Sequence, residues 1–166
     1  MNSYINPERF IYSKKVASKA DVFLDEYKNI FNFLDYPRDI HNQKWKVSPF
    51  LYKGEWYNQH PSRKSLEFLK TLDHIFIASY SLLQPHAKIY PHIGYDLEEP
   101  VYRVHLPIIV PNDSQNCWIK VDGEKRSWKL GELLVFDDRI KHEVENNTEE
   151  NRVVVIMDFK KEAFTK

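Results

Sequence analysis

Phe136-Asp137-Asp138-Arg139-Ile140-Lys141-His142-Glu143-Val144, followed by Arg152-Val153-Val154-Val155-Ile156-Met157-Asp158-Phe159, is the stretch that decides how this chain folds. The turn-like Glu145-Asn146-Asn147-Thr148 separates two β segments, so His142 and Arg152 arrive on neighbouring strands. Arg152 heads an otherwise apolar run and shares a face with Val154 and Ile156. A cation placed there either reaches solvent or meets an anion. Its planar fork suits a carboxylate gripped through two nitrogens. The competing reading is a surface arginine paired with Glu149 or Glu150.

Upstream, Tyr90-Pro91-His92-Ile93-Gly94 offers a second histidine in a strand-like context. Two histidines and one carboxylate are the usual protein ligands of iron(II) in oxygenases, with open positions for co-substrate and oxygen. His92 and His142 supply the imidazoles, and a 2-oxoglutarate co-substrate would set its distal carboxylate against Arg152. The acid expected two residues after the first histidine is replaced by Gly94. Asp96 reaches inward only if the chain bends, and Glu143 falls on the opposite face of its strand. The third position is therefore left to Asp96 or to water. Of the seven histidines, two are rivals. His86 shares a face with Lys88, Tyr90 and His92 in a regular strand, and His105 lies beside Arg103. Ser79 and Ser81 occupy one strand face and offer a hydroxyl near Arg152.

Outward from this core, the pattern has period two from about Ile75. Strands are expected at 76–83, 87–93, 101–110, 117–121, 124–129, 132–136, 141–145 and 151–159. Asp122-Gly123 is the strongest hairpin signal, because both residues accept positive φ. Eight short strands with no helix between them argue for a mainly β jelly roll, a cupin-like double-stranded β-helix. Before it, Val22, Phe23, Tyr27, Ile30, Phe31 and Leu34 recur at helical spacing, which predicts an amphipathic helix over 18–35 closed by Pro37. A second helix is predicted from Ser62 as N-cap through Leu72. Trp45, Phe50, Tyr52, Trp56 and Tyr57 lie between them without helical period, as strands or as a loop over a pocket mouth; Trp45, Trp56 and Tyr57 are candidates for a substrate lid. The chain reads as a single domain over 1–166, helical and irregular to about 75, barrel over about 76–160.

The 166 residues suffice for a buried core. Lys and Arg number 24, as do Asp and Glu, with no charge block, so no nucleic-acid partner is expected. No segment is long and apolar enough for a membrane span, and no secretory signal is visible. The single Cys117 excludes an intramolecular disulfide and suits a reducing, cytoplasmic location.

About half the chain, 76–160, resembles the aspartyl/asparaginyl β-hydroxylases, which are Fe(II)- and 2-oxoglutarate-dependent dioxygenases. The similarity is carried by Tyr80-Ser81, Tyr90-Pro91-His92-Ile93-Gly94, Tyr102-Arg103-Val104-His105-Leu106, Gly131-Glu132-Leu133-Leu134-Val135-Phe136-Asp137-Asp138, His142-Glu143-Val144 and Asn151-Arg152-Val153, in that order. The resemblance implies that His92 and His142 are the complete protein ligand set, with water where the acid would be. It implies that Arg152 and Ser81 hold the distal carboxylate of 2-oxoglutarate, and that Arg103 and His105 line the pocket and contact co-substrate or substrate. Asp137 or Asp138 would orient the His142 imidazole or cap its turn. The expected activity is hydroxylation of an unactivated C–H of an amino acid, peptide or related small substrate with O2; the alternative is a cupin-type small-molecule or metal-binding barrel without oxygenase activity. Ser79 and Val101 stand where relatives acting on acidic residues tend to carry basic side chains, which weakens the expectation of an aspartate substrate.

Overall fold

Alternation along Arg152–Lys160 (β11) sets the architecture. Arg152, Val154 and Ile156 face one way; Val153, Val155, Met157 and Phe159 face the other and join a different apolar cluster. A strand covered on both faces reads as a continuous apolar run. The computed structural model describes residues 3–94 and 101–166.

The strands are β1 Leu34–Asp35, β2 Trp45–Tyr52, β3 Glu55–Trp56, β4 Ile75–Leu83, β5 Lys88–His92, β6 Val101–Ile109, β7 Cys117–Val121, β8 Glu124–Ser127, β9 Leu134–Asp137, β10 His142–Asn146 and β11. A major sheet runs β1-β2-β4-β11-β6-β9, with β3 paired to β2, and a minor sheet runs β5-β10-β7-β8. The pairings are antiparallel. One cluster, including Trp45, Ile119, Phe136, Val144 and Val154, draws side chains from both sheets. The fold is the mainly β double-stranded β-helix that the sequence predicts.

Helices cover the outer face of the major sheet. Val16, Phe23, Leu66 and Leu69 join Tyr80, Val104 and Val155 in the second cluster. Each such fully buried side chain stabilises the fold by roughly 1.5–3 kcal/mol. The helix predicted over 18–35 is instead two short ones, α1 Ser13–Ala17 and α2 Ala20–Tyr27. Beyond Tyr27 the Asn-rich segment has weak helical preference, and Leu34 and Asp35 pair with Val47 and Lys46 of β2 instead. Sheet pairing wins over the amphipathic stripe and leaves Phe31 on the surface, 89 % exposed.

The next helix, α3, spans Arg63–Leu69 and stops short of Leu72. Ser62 precedes it as predicted, but its hydroxyl lies 3.3 Å from the Tyr80 hydroxyl and does not cap. Glu26 of α2 caps in its place, accepting from the Lys64 and Ser65 amides and from Ser65 Oγ. Asp122 and Gly123 take positive φ and close the predicted two-residue hairpin, with Val121 opposite Glu124. The strands expected at 124–129 and 132–136 are shorter, β8 ending at Ser127 and β9 starting at Leu134, because Gly131 turns the chain at φ 84.

Candidate functional site

His92 and His142 are opposite one another on β5 and β10. Their rings lie 4.3 Å apart between centroids. A bulge produces this arrangement. His142 pairs with His92 and Val144 with Ile89, so three steps on β5 oppose two on β10. The extra residue falls at Tyr90-Pro91, where proline has no N–H to leave unpaired. Regular alternation would put His92 on the exposed face of Lys88 and Tyr90; the bulge turns it inward with Ile89. Strict alternation along β5 therefore fails at His92, and His86, on the face of Lys88 and Tyr90, points outward. That residue is 52 % exposed at its side chain and bonds Glu149 on the surface.

Both imidazoles are held in one tautomer. The Nδ1 of His92 lies 2.7 Å from the Tyr90 carbonyl and that of His142 lies 2.6 Å from the Ile140 carbonyl. A carbonyl only accepts, so each Nδ1 carries the proton and each Nε2 keeps a lone pair. Burial lowers the pKa of both; for His142 burial and then His92 push it down to about 3. The rings are therefore neutral, the form that binds metal.

Asp138 completes the surroundings of His142. Its Oδ1 is 3.3 Å from His142 Nε2 and 3.2 Å from an Arg103 nitrogen, and neither carboxylate oxygen makes an aligned hydrogen bond among the described residues. Asp138 does not orient the imidazole, since the Ile140 carbonyl does that; it faces the nitrogen left free for metal. Asp137 pairs with Arg139 at the surface. The Gly94 amide donates to the Asp138 carbonyl at 2.7 Å. A Cβ on Gly94 would lie 1.7 Å from Asp138 Oδ2. Asp138 thus occupies the space that a side chain at 94 would need. Asp96 lies outside the described residues. Among the described residues, no cluster of three His, Cys, Asp or Glu is placed to hold a metal.

Arg152 lies across the interior, 1 % exposed. It donates to the backbone oxygen and Oγ of Ser81 at 3.1 and 3.0 Å and stacks on Trp128, 4.5 Å from the ring centre. Its Nε has no partner, and it has no ion pair among the described residues. Burial lowers its pKa to about 10. Trp45 donates its indole N–H to the same Ser81 hydroxyl. His105 accepts from the Trp128 indole at Nδ1, so its Nε2 carries the proton, and that buried donor has no partner among the described residues. Burial, Arg152 and Arg103 hold the His105 pKa well below the usual value. The lone donors of Arg152 and His105 and the two Nε2 lone pairs fit one anion and one metal ion.

Arg103 differs from Arg152. It grips Asp158 through two bonds of 2.8 Å and also pairs with Asp138. Burial opposes its charge, but the two carboxylates outweigh it and keep the guanidinium protonated. The space bounded by His92, His142, Arg152, His105 and Arg103 is about 20 Å³, enough for a water-sized occupant. A dicarboxylate reaching Arg152 therefore requires the surrounding side chains to part.

Six of the residues picked from the sequence converge here: Ser81, His92, Arg103, His105, His142 and Arg152 all line this space. Trp45, a lid candidate, is a wall of it and is 3 % exposed. Trp56 packs against the outer cluster, and Tyr57 stays exposed at another cavity's edge. Asp158, which clamps Arg103, and Trp128, which stacks on Arg152 and bonds His105, belong to the site as well and lie outside the set expected from the sequence. A signal for Asp158 was present, an acid inside Val-Val-Val-Ile-Met-Asp-Phe opposite an arginine strand; none marks Trp128, which leaves its strand to turn inward.

Residues 13–162 match the family model described as Aspartyl/Asparaginyl beta-hydroxylase. An ornithine lipid ester-linked acyl 2-hydroxylase of Rhizobium tropici is 38 % identical over 85 residues, 51 % of this chain and 29 % of that protein. The aspartyl/asparaginyl beta-hydroxylase of Mus musculus is 33 % identical over 82 residues, 48 % of this chain and 10 % of that one. The chain thus spans less than a third of the length of these curated relatives. Among solved structures, a 2OG-Fe(II) oxygenase family oxidoreductase of Burkholderia pseudomallei superposes with a TM-score of 0.63 at 11 % identity, over 86 % of this chain and 79 % of that one. HygX of Streptomyces hygroscopicus, solved with nickel and 2-oxoglutarate, gives 0.59 at 10 % identity, over 87 % and 78 %. These structural likenesses establish the fold.

Proposed function

Because the chain belongs to the aspartyl/asparaginyl β-hydroxylase family, we propose that it is an Fe(II)- and 2-oxoglutarate-dependent dioxygenase whose metal is held by His92 and His142 alone among its side chains. The observation that carries this is Arg152, a fully buried guanidinium with two hydrogen bonds to Ser81 and, among the described residues, no acid to neutralise it. An unpaired buried charge costs several kcal/mol, which a protein retains where a ligand supplies the counter-ion.

Iron and 2-oxoglutarate, when bound, supply the oxidative chemistry: one atom of O2 enters a substrate C–H bond, the other enters succinate, and CO2 leaves. The residues of this chain do the rest. The Tyr90 and Ile140 carbonyls hold the two Nδ1 protons and so leave both Nε2 lone pairs available to a metal. Arg152 and Ser81 receive the distal carboxylate of the co-substrate. The Nε2–H of His105 offers one further donor to the same molecule. Arg103, clamped by Asp158, holds the Asp138 carboxylate beside His142 Nε2, where it would add a negative charge and a hydrogen-bond acceptor next to the metal. Both sheets and Trp45 exclude bulk water from the site. The substrate is an amino acid, peptide or related small molecule bearing an unactivated C–H.

Anaerobic addition of Fe(II) and 2-oxoglutarate tests this directly. The expected result is a weak visible charge-transfer band, lost in His142→Ala. A folded, iron-loaded protein that shows no such band would overturn the proposal.

A further inference from the structure

Trp128 follows the end of β8 and is buried. It touches two groups of the anion site at once. The Arg152 guanidinium lies over its ring, 4.5 Å from the centre, and its indole N–H donates to His105 Nδ1 at 3.0 Å. The indole and imidazole planes are within 19° of each other, so the N–H meets the Nδ1 lone pair near the imidazole plane, where that lone pair lies. An indole nitrogen can only donate, whereas a neutral imidazole carries its proton on either nitrogen. Trp128 therefore decides which nitrogen of His105 keeps it.

The other neighbours of His105 favour the opposite choice. Burial, then the charges of Arg152 and Arg103, keep the ring neutral. Beside two guanidinium groups, a bare Nε2 lone pair is electrostatically preferred to an N–H that points positive charge the same way. It would also give an acceptor to Arg152 Nε–H, which has no partner among the described residues. The observed arrangement forgoes both gains. His105 Nε2–H and Arg152 Nε–H remain buried donors that no described residue accepts, and unmade bonds of that kind cost folding free energy. Ser81 is set in the same sense. Its Oγ accepts from Trp45 at 2.8 Å and from Arg152 at 3.0 Å, which occupies both lone pairs and leaves its own proton to donate. His105, Ser81 and Arg152 bound one small space, and all three bring donors to it.

We propose that Trp128 is a positioning residue of this site: its indole N–H holds His105 as an Nε2–H donor, keeps the imidazole from becoming an internal acceptor for Arg152, and so reserves that cation for an incoming carboxylate. Trp128 itself acts through His105 and through the face it offers to Arg152. That the carboxylate is the distal one of 2-oxoglutarate rests on the dioxygenase function proposed above; the position of the His105 proton does not.

Long-range proton–nitrogen NMR of metal-free protein with isotopically labelled histidines reads the tautomer directly, with His105→Gln identifying the signals. The wild type is expected to show His105 protonated at Nε2 and bare at Nδ1. Trp128→Phe, which keeps a ring beneath Arg152 but has no N–H, should move the proton to Nδ1. A wild type protonated at Nδ1 overturns the proposal, and that reading stands even where Trp128→Phe fails to fold; so does a tautomer that Trp128→Phe leaves unchanged. A second arm titrates glutarate, a dicarboxylate without a keto group to chelate a metal, into the same metal-free proteins by calorimetry. Trp128→Phe should bind it about tenfold more weakly, roughly the worth of one charge-assisted hydrogen bond. In a His105→Gln background the same substitution should change the affinity little, because no imidazole remains to flip. A tenfold loss there would mean that Trp128 acts by packing alone, and it overturns the proposal, as does glutarate bound equally by wild type and Trp128→Phe or by neither. If both arms come out as expected but iron and 2-oxoglutarate give no charge-transfer band, the dioxygenase function falls and the role of Trp128 stands. A band seen together with either overturning result leaves the dioxygenase function standing without it.

Discussion

Replacing Arg152 by methionine should leave the ligand-free protein about as stable as the wild type, or slightly more so. The guanidinium is buried, and burial lowers its pKa from the ordinary arginine value to about 10. The folded value lies below the unfolded one, so folding penalises the charged form, by about 3 kcal/mol at neutral pH. Methionine removes that penalty. It forfeits the stack on Trp128, about 1 kcal/mol, and the two Ser81 contacts, about 1 kcal/mol each. These terms nearly cancel. Arg103 provides the contrast within the same barrel, since it is clamped by Asp158 and Asp138. Methionine there strands two buried carboxylates and should cost about 3–5 kcal/mol. Denaturant unfolding of both variants, read by fluorescence, measures the difference. Thermal melts then report the ligand. A dicarboxylate such as 2-oxoglutarate at 100 times its dissociation constant should stabilise the wild type by about 2.7 kcal/mol, roughly 5–10 °C in a domain of this size. Arg152→Met should show no such shift. If Arg152→Met proved as destabilising as Arg103→Met, or melted higher with 2-oxoglutarate just as the wild type does, the argument for an anion site at Arg152 would fail.

Two further outcomes follow from the geometry. Gly94→Ala sets a Cβ 1.7 Å from Asp138 Oδ2 and 2.7 Å from the Asp138 carbonyl oxygen, so it should destabilise by at least about 1–3 kcal/mol. Adding Asp138→Ala should recover part of that loss, a coupling read from a double-mutant cycle; purely additive losses would refute the contact. His60 is buried and neutral, accepting the Ser62 amide at Nδ1 and bonding Ser48 at Nε2. Burial lowers its pKa to about 4, below the unfolded 6.5, so its contribution is intact above pH 6.5 and is lost as pH falls toward 4, about 3 kcal/mol in all. His105 and His142 titrate in the same direction, so the comparison is with His60→Gln, whose stability should fall less steeply over that window.

The barrel was legible because its strands carry period-two patterns and turn residues that act locally: Asp122-Gly123 forms its hairpin whatever surrounds it. The two ends of the site were legible for a similar reason, since a histidine and an arginine in apolar strands have few places to go. What escaped the sequence depends on contacts distant along the chain. The stripe through Ile30, Phe31 and Leu34 has helical spacing, but β2 offered Leu34 and Asp35 a sheet edge, and pairing won. Ser62 has the right type for a cap, yet Glu26, far upstream, reaches the helix first. The inward turn of His92 needed a bulge that alternation alone does not reveal.

Gly94 shows why the missing acid is a structural necessity and more than a deletion. A carboxylate already stands beside His142, but it comes from Asp138, on the turn before β10, and is braced by Arg103 and Asp158. Because Gly94 bonds the Asp138 carbonyl through its amide, the two backbones approach too closely for any side chain at 94. An aspartate restored there would have to evict Asp138, which would leave Arg103 with one partner fewer and place a second buried acid beside the first. Like charges that close cannot both ionise without a cation between them. The barrel can therefore hold an acid at 94 or at 138 but not both, and the buried Asp158–Arg103 pair on β11 and β6 commits it to 138.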